Sequence, residues 1–160
     1  MGSMPRPSTS DVARLDDVSM AIIEHLQVDG RQSYAAIGRA VGLSEAAVRQ
    51  RVQRLLEAEV MQIVAVTDPL QVGFYRQAMI GIRVDGDLGA VGDALSQIPQ
   101  VAYVVTTAGS FDLLVEVVCA DDDELLDLLS KRIRVLPGIR STETFMYLKL
   151  NKQHYHWGAS

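Results

Sequence analysis

A single cysteine, Cys119, stands in 160 residues. That excludes a disulfide framework and any cysteine-built zinc site, and it leads us to expect a reducing, cytoplasmic setting. No run of 18 apolar residues occurs, so no membrane-spanning helix is expected. The chain also lacks a Gly-x-Ser-x-Gly elbow, a phosphate loop and a Gly-x-Gly-x-x-Gly fingerprint, and no catalytic set is visible. No positively charged, apolar signal peptide follows the start. Met1-Gly2-Ser3-Met4 reads as an expression scar with a second start, and Arg6 stands where a myristoylation motif would want Ser or Thr. What is present is a core-building mixture, 48% hydrophobic and 22% charged. It is neither disordered nor fibrous in type, and long enough for one large domain or two small ones.

The net charge of −5 argues at first against nucleic acid, but its distribution argues the other way. Residues 31–54 hold five arginines (Arg31, Arg39, Arg49, Arg51, Arg54) against one acid, Glu45, a local +4 inside an acidic chain. Phosphate binding needs such a basic window, and a total charge can hide it.

Residues 1–10, rich in Pro and Ser, are expected to be a disordered tail. Leu15, Val18, Ile22 and Leu26 fall at steps of three and four, an amphipathic helix that Asp29-Gly30 ends. Ser33 caps a second helix with Ile37, Ala40 and Val41 inward. Gly42-Leu43 turns the chain, and Ser44 caps a third helix with Val48, Val52 and Leu55 inward. These three helices make a domain over 11–60. The β-branched Val60–Val66 reads as a strand, and Asp68-Pro69 starts a linker over 68–74, so 61–74 is strand and hinge. Beyond it the spacing predicts strands over 77–84, 101–107, 113–119 and 139–150 and helices over 88–97 and 122–135. The first helix turns Leu88, Val91, Leu95 and Ile98 inward, the second Leu125, Leu129, Ile133 and Leu136. Ile98-Pro99-Gln100-Val101 and Leu136-Pro137-Gly138-Ile139 each close a helix and open a strand, 38 positions apart. Two successive β-α-β units of this size predict an α+β fold: a ferredoxin-like βαββαβ domain over 75–150, with a four-stranded antiparallel sheet and both helices on one face. The other face stays apolar, so a second copy is expected against it. Residues 151–160 form a tail.

The sharpest constellation is 33–56. Gly38 and Gly42, four apart, suit the close approach and the turn of a helix-turn-helix, with Val48 as the apolar anchor six residues on. Glu45, Ala46, Arg49, Gln50 and Gln53 line the opposite face, and Arg and Gln are the side chains that pair bidentately with guanine and adenine. The alternative is a plain solvated face of a packed helical subdomain. Ala108-Gly109-Ser110-Phe111-Asp112 reads either as an ordinary hairpin or as a clamp, with backbone N–H groups near Gly109 for a carboxylate and Asp112 for an amine. Asp121–Glu124 reads as helix capping ahead of a metal loop, and a His154/His156 chelate lacks a rigid third ligand, so no metal is expected. Cys119 alternates with Leu113, Val115 and Val117 as a core thiol, and His25 has no visible partner.

The order of parts resembles the Lrp/AsnC (leucine-responsive, feast/famine) family of transcription regulators. Leu15-Asp16, Ile22-Ile23, Leu26 to Arg31, Val41-Gly42-Leu43-Ser44, Val48 and Arg51 to Leu55 carry the resemblance. Asp68-Pro69 with Val72-Gly73 is similar to the family's hinge, and Ala108–Asp112 to its Thr-Gly-x-Tyr-Asp loop. The resemblance covers about 15–150. It implies a DNA-binding helix-turn-helix domain, a ferredoxin-like effector domain, dimers that assemble into octamers, and control by an amino acid or similar metabolite, with no other cofactor. Arg51 matches the family's helix arginine; Ala108 replaces a usual Thr, Glu59 a usual Gly, and Ser19 a common Asp. On this reading Arg39, Arg49 and Arg54 hold phosphates of double-stranded DNA, and Ser44, Ala46, Arg49 and Gln50 face bases. Gly109, Ser110 and Asp112, with Thr142 and Thr144, form the effector site. Two rivals stand beside it: a nucleoid protein that organises DNA without an effector, and an enzyme on a dimeric ferredoxin-like barrel using Glu116 or Glu143.

Overall fold

The computed structural model describes residues 15–152; the expected N-terminal tail and the His154/His156 pair lie outside the described residues. The chain divides into two compact units, the first closing at Val66 and the second opening at Thr67.

The first unit holds α1 (Asp17–Val28), α2 (Tyr34–Val41) and α3 (Glu45–Glu57). Each begins on a side-chain cap. Asp16 accepts the Ser19 N–H at 2.8 Å, Ser33 that of Ala36 at 3.2 Å, and Ser44 that of Ala47 at 3.2 Å. A cap of this kind contributes about 1 kcal/mol. Gly42 ends α2 at φ 73°, a conformation that favours glycine. Ile22, Leu26, Ile37, Val48 and Val52 form the core. Two expectations change. Ala40 is exposed, not inward. Gly38 is small for a different reason than a helix crossing: a Cβ there would lie 2.5 Å from the Leu43 carbonyl oxygen, because the turn folds back and the Leu43 N–H donates to the Gly38 carbonyl at 2.9 Å.

Val60–Val66 is not a strand. It runs beside the end of α1, with Ile63 next to Gly30, but joins no ladder within the chain. β-branched composition makes a strand only where backbone groups find a neighbour. Val60, Ile63, Val64 and Val66 are left exposed. Glu59, just before, is the one non-glycine residue at positive φ (58°) among the described residues.

The second unit begins with a 3-10 turn, Pro69–Val72, capped by Asp68 and ended by Gly73. It continues β1 (Arg76–Val84), α4 (Leu88–Ser96), β2 (Val101–Thr106), β3 (Leu113–Cys119), α5 (Asp122–Asp127) and β4 (Ile139–Met146). The sheet order is β2-β3-β1-β4, all antiparallel, the ferredoxin-like arrangement. The two Pro-containing corners close alike: the Val101 N–H donates to Ile98 at 3.0 Å and the Ile139 N–H to Leu136 at 3.3 Å. Ala78, Ile80, Ile82, Leu113, Val115, Val117 and Cys119 pack under Val91, Leu95, Leu125, Leu128 and Ile133. The second helix departs from regular spacing, since Leu128–Ile133 is π-helical. The wider turn buries Leu128 and Ile133, five apart, and leaves Leu129 only partly covered. β4 ends at Met146, opposite Ala78 and short of the expected 150; one more backbone bond follows, from the Tyr147 N–H to the Gln77 carbonyl at 2.9 Å.

Candidate nucleic-acid interface and effector loop

Helix α3 turns Val48, Val52 and Leu55 into the core, and helical periodicity then sends the remaining positions outward. Ala46, Arg49, Gln50, Gln53, Arg54 and Glu57 line one shallow concavity on its free face. Ser44 sits at the head of that face as the cap, so its hydroxyl already accepts the Ala47 N–H. Arg39 is exposed in the last turn of α2, outside the concavity.

The arginines of the basic window differ in what holds them. Arg51 points back into the unit. Its Nη1 donates to both Asp16 oxygens, at 2.6 and 2.9 Å, and to Ser19 Oγ at 3.0 Å. One carboxylate thus caps α1 and grips α3. The Arg51 guanidinium, with the Ser19 hydroxyl and N–H, holds the Asp16 carboxyl down to about 2. Arg49 is exposed but constrained: its Nη2 donates to Glu45 Oε1 at 2.8 Å, and its guanidinium lies 5.2 Å from the centre of the Tyr34 ring. Tyr34 escaped the sequence reading because only the third dimension brings the start of α2 beside α3. His25 does have a partner, since its Nδ1 lies 3.2 Å from Gln32 Oε1.

In the second unit the loop 107–112 is pinned from both sides. Thr107 donates from its hydroxyl to the Phe111 carbonyl at 2.6 Å, and the Asp112 N–H donates to the Ile82 carbonyl at 2.9 Å. The Phe111 ring lies on Gly81, where a Cβ would come within 2.7 Å of it, with the Arg83 guanidinium 4.7 Å above and Phe145 edge-on at 6.0 Å. Gly109 and Ser110 are exposed, and a Cβ at Gly109 would meet nothing within 4 Å. Asp112 is already partly engaged: its Oδ2 accepts the Val84 N–H at 2.8 Å, where β1 bulges against β4.

Thr142 and Thr144 are not gathered with this loop. Counting alternately from Ile139 would put Ser141 and Glu143 on the helix side. The bulge at Arg83/Val84 shifts the parity and pairs Thr142 with Ile82 and Thr144 with Ile80, on the packed face. There Thr142 Oγ1 accepts from Arg134 Nε at 3.0 Å, and Thr144 Oγ1 is buried with no partner.

The acidic run is a cap. Asp121 accepts the Glu124 N–H at 2.8 Å, Glu124 accepts the Ala120 N–H at 2.6 Å and Gln100 Nε2 at 2.8 Å, and Asp122 pairs with Arg76. No cluster able to hold a metal occurs among the described residues. Glu116 and Glu143 lie on the open sheet face, where Glu116 accepts from Gln77 at 3.1 Å. Burial first, then the Glu116 charge, pushes Tyr147 beside it up to about 12.

A glycine-turned helix pair presenting a polar, arginine-bearing helix, followed by a ferredoxin-like sheet with one uncovered face, defines a two-domain helix-turn-helix DNA-binding regulator. Residues 15–56 match the AsnC-type helix-turn-helix domain, and 74–160 match an AsnC-type C-terminal dimeric alpha+beta barrel domain. The chain belongs to the AsnC (Lrp/AsnC) family of transcription regulators. An HTH-type transcriptional regulator of Pyrococcus abyssi is 32% identical over 154 residues, 95% of this chain and 98% of that one. The leucine response regulatory protein LrpA of Mycobacterium tuberculosis superposes with TM-score 0.78 at 29% identity, covering 87% of this chain and 96% of that one. A transcriptional regulator of Neisseria meningitidis, solved as its L-Met complex, has the same fold at TM-score 0.75 and 21% identity, covering 88% and 94%. The family and these relatives are regulators, not enzymes, and no described helix is long and apolar enough to cross a membrane.

Proposed function

We propose that this protein is a cytoplasmic, nucleoid-associated regulator that binds double-stranded DNA in a sequence-specific way and answers to an amino acid or a related metabolite. The observation that carries the DNA half is the free face of α3, with Arg49, Gln50 and Arg54 around one concavity. Ser44, Ala46, Arg49 and Gln50 face base edges, while Arg39 and Arg54 take phosphates. Arg51 is not a DNA contact on this reading, because Asp16 and Ser19 hold it.

The effector half rests on the loop. Exposed backbone at Gly109 and Ser110 suits a carboxylate, and Asp112 Oδ1, left over from the Val84 bond, suits an ammonium group. Thr142 and Thr144 take no part, being on the other face. The L-Met complex of the Neisseria relative supports this class of ligand. The open sheet face, where Met79 and Phe145 stand opposite each other, is the surface for dimerisation, and dimers build octamers. The hinge 61–74 joins the two halves.

The test is a titration of the twenty amino acids against DNA binding, using fragments selected from genomic DNA. One of them shifts affinity by about 5- to 150-fold. If none does while specific DNA binding persists, the protein organises DNA without an effector.

A further inference from the structure

Glu45 has no role in the reading above, and a carboxylate on a DNA-facing helix needs one. It occupies the first position of α3, one turn before Arg49, and both side chains are more than half exposed (53% and 64%). The ion pair between them is 2.8 Å long. Such an exposed pair contributes little to stability, since solvent screening offsets most of the attraction. Its geometry is more informative. The N-terminal residues of a recognition helix are the ones that meet base edges. A guanidinium held through one Nη keeps its remaining donors aligned, and Tyr34, packed against the first unit's core, offers a fixed ring face 5.2 Å from it. The second Glu45 oxygen has no partner among the described contacts.

We propose that Glu45 and Arg49 read two adjacent bases as one preassembled unit, with Tyr34 as the residue that positions Arg49. Arg49 donates bidentately to O6 and N7 of a guanine. Glu45 accepts from the N4 amino group of a neighbouring cytosine. The pair exists before DNA arrives, so little side-chain entropy is lost on binding. Glu45 also works by exclusion, because its charge is repelled by a base edge carrying only acceptors and by phosphate. This rests on α3 being the base-reading helix, as proposed above.

The experiment is selection of bound sequences from randomised duplex DNA with the full chain, followed by affinity and salt-slope measurements on the enriched site. Wild type enriches a site containing an adjacent guanine and cytosine. Glu45→Gln, nearly isosteric, loses about 5- to 150-fold of discrimination for cytosine at that one position and moves toward adenine, which a glutamine reads. It binds non-specific DNA at least as well as wild type, since a negative charge has gone. Arg49→Lys keeps its charge and its salt slope but weakens the guanine preference, because an ammonium lacks the planar two-donor fork. Tyr34→Leu weakens the guanine preference, and Tyr34→Phe, which keeps the ring face, restores it. A purely structural Tyr34 would instead alter affinity for all sequences equally. A wild-type motif that Glu45→Gln reproduces unchanged overturns the Glu45 assignment alone. A wild type that enriches no motif overturns base reading by α3, and this proposal with it.

Discussion

The two units solve the same problem, burying apolar surface in a short chain, in different ways. The first has six buried apolar side chains and adds polar devices to them: three caps, a glycine turn and the Arg51–Asp16–Ser19 link. The second has thirteen, sealed between one sheet face and its helices. A small core leaves most helix positions free to meet a ligand, so the side chains proposed to face DNA sit on the regular structure of α3. In the second unit the regular structure is used up by packing, and the candidate ligand groups fall on the loop between β2 and β3.

The largest effect that would break this comparison comes from Ile37→Ala, at a fully buried position of the small core. A cost of about 2–5 kcal/mol is expected. Calorimetry should show the transition of the first unit lowered or lost, together with DNA binding, while that of the second stays. A joint loss of both would mean that the units do not fold independently. Next, Gly38→Ala forces a methyl against the Leu43 carbonyl and should cost about 1–3 kcal/mol, read as a lower denaturation midpoint. Glu59→Gly should act in the other direction. It relieves a left-handed conformation and should stabilise by up to about 1 kcal/mol in urea unfolding.

The smallest effect is visible only in acid. The depressed Asp16 carboxyl contributes stability that is present above its unfolded value near 4 and is lost as pH falls toward about 2. Arg51→Met removes the partner, so its stability relative to wild type should converge between those two pH values. Parallel pH profiles would show that the Asp16–Arg51 pair is not held in solution.

The difference between the units also explains what could be read in advance. The caps Ser33 and Ser44, the turn at Gly42 and the buried side of α3 follow from rules spanning three or four residues, and all stand in the structure. Sheet order followed from the repeat of Ile98–Val101 at Leu136–Ile139. What stayed hidden depends on distant partners. No local pattern announces that Leu128–Ile133 widens into π-helical turns, or that a bulge at Val84 takes up Asp112 and moves Thr142 and Thr144 to the packed face. The same holds for Val60–Val66, whose composition is that of a strand while its pairing depends on what lies beside it. Glu59 was visible as a departure from a usual glycine, and its positive φ now gives that departure a physical meaning.

The single thiol can serve as a clock. Burial first, and the nearby Glu124 and Asp121 charges after it, push Cys119 up to about 11. At pH 7 the thiolate is then rare, and the sulfur is enclosed at the end of β3. An alkylating reagent must wait for the second unit to open, so its rate measures how often the sheet comes apart. Unfolding of the three-helix unit leaves it unchanged, so the rate reports the stability of the second unit alone.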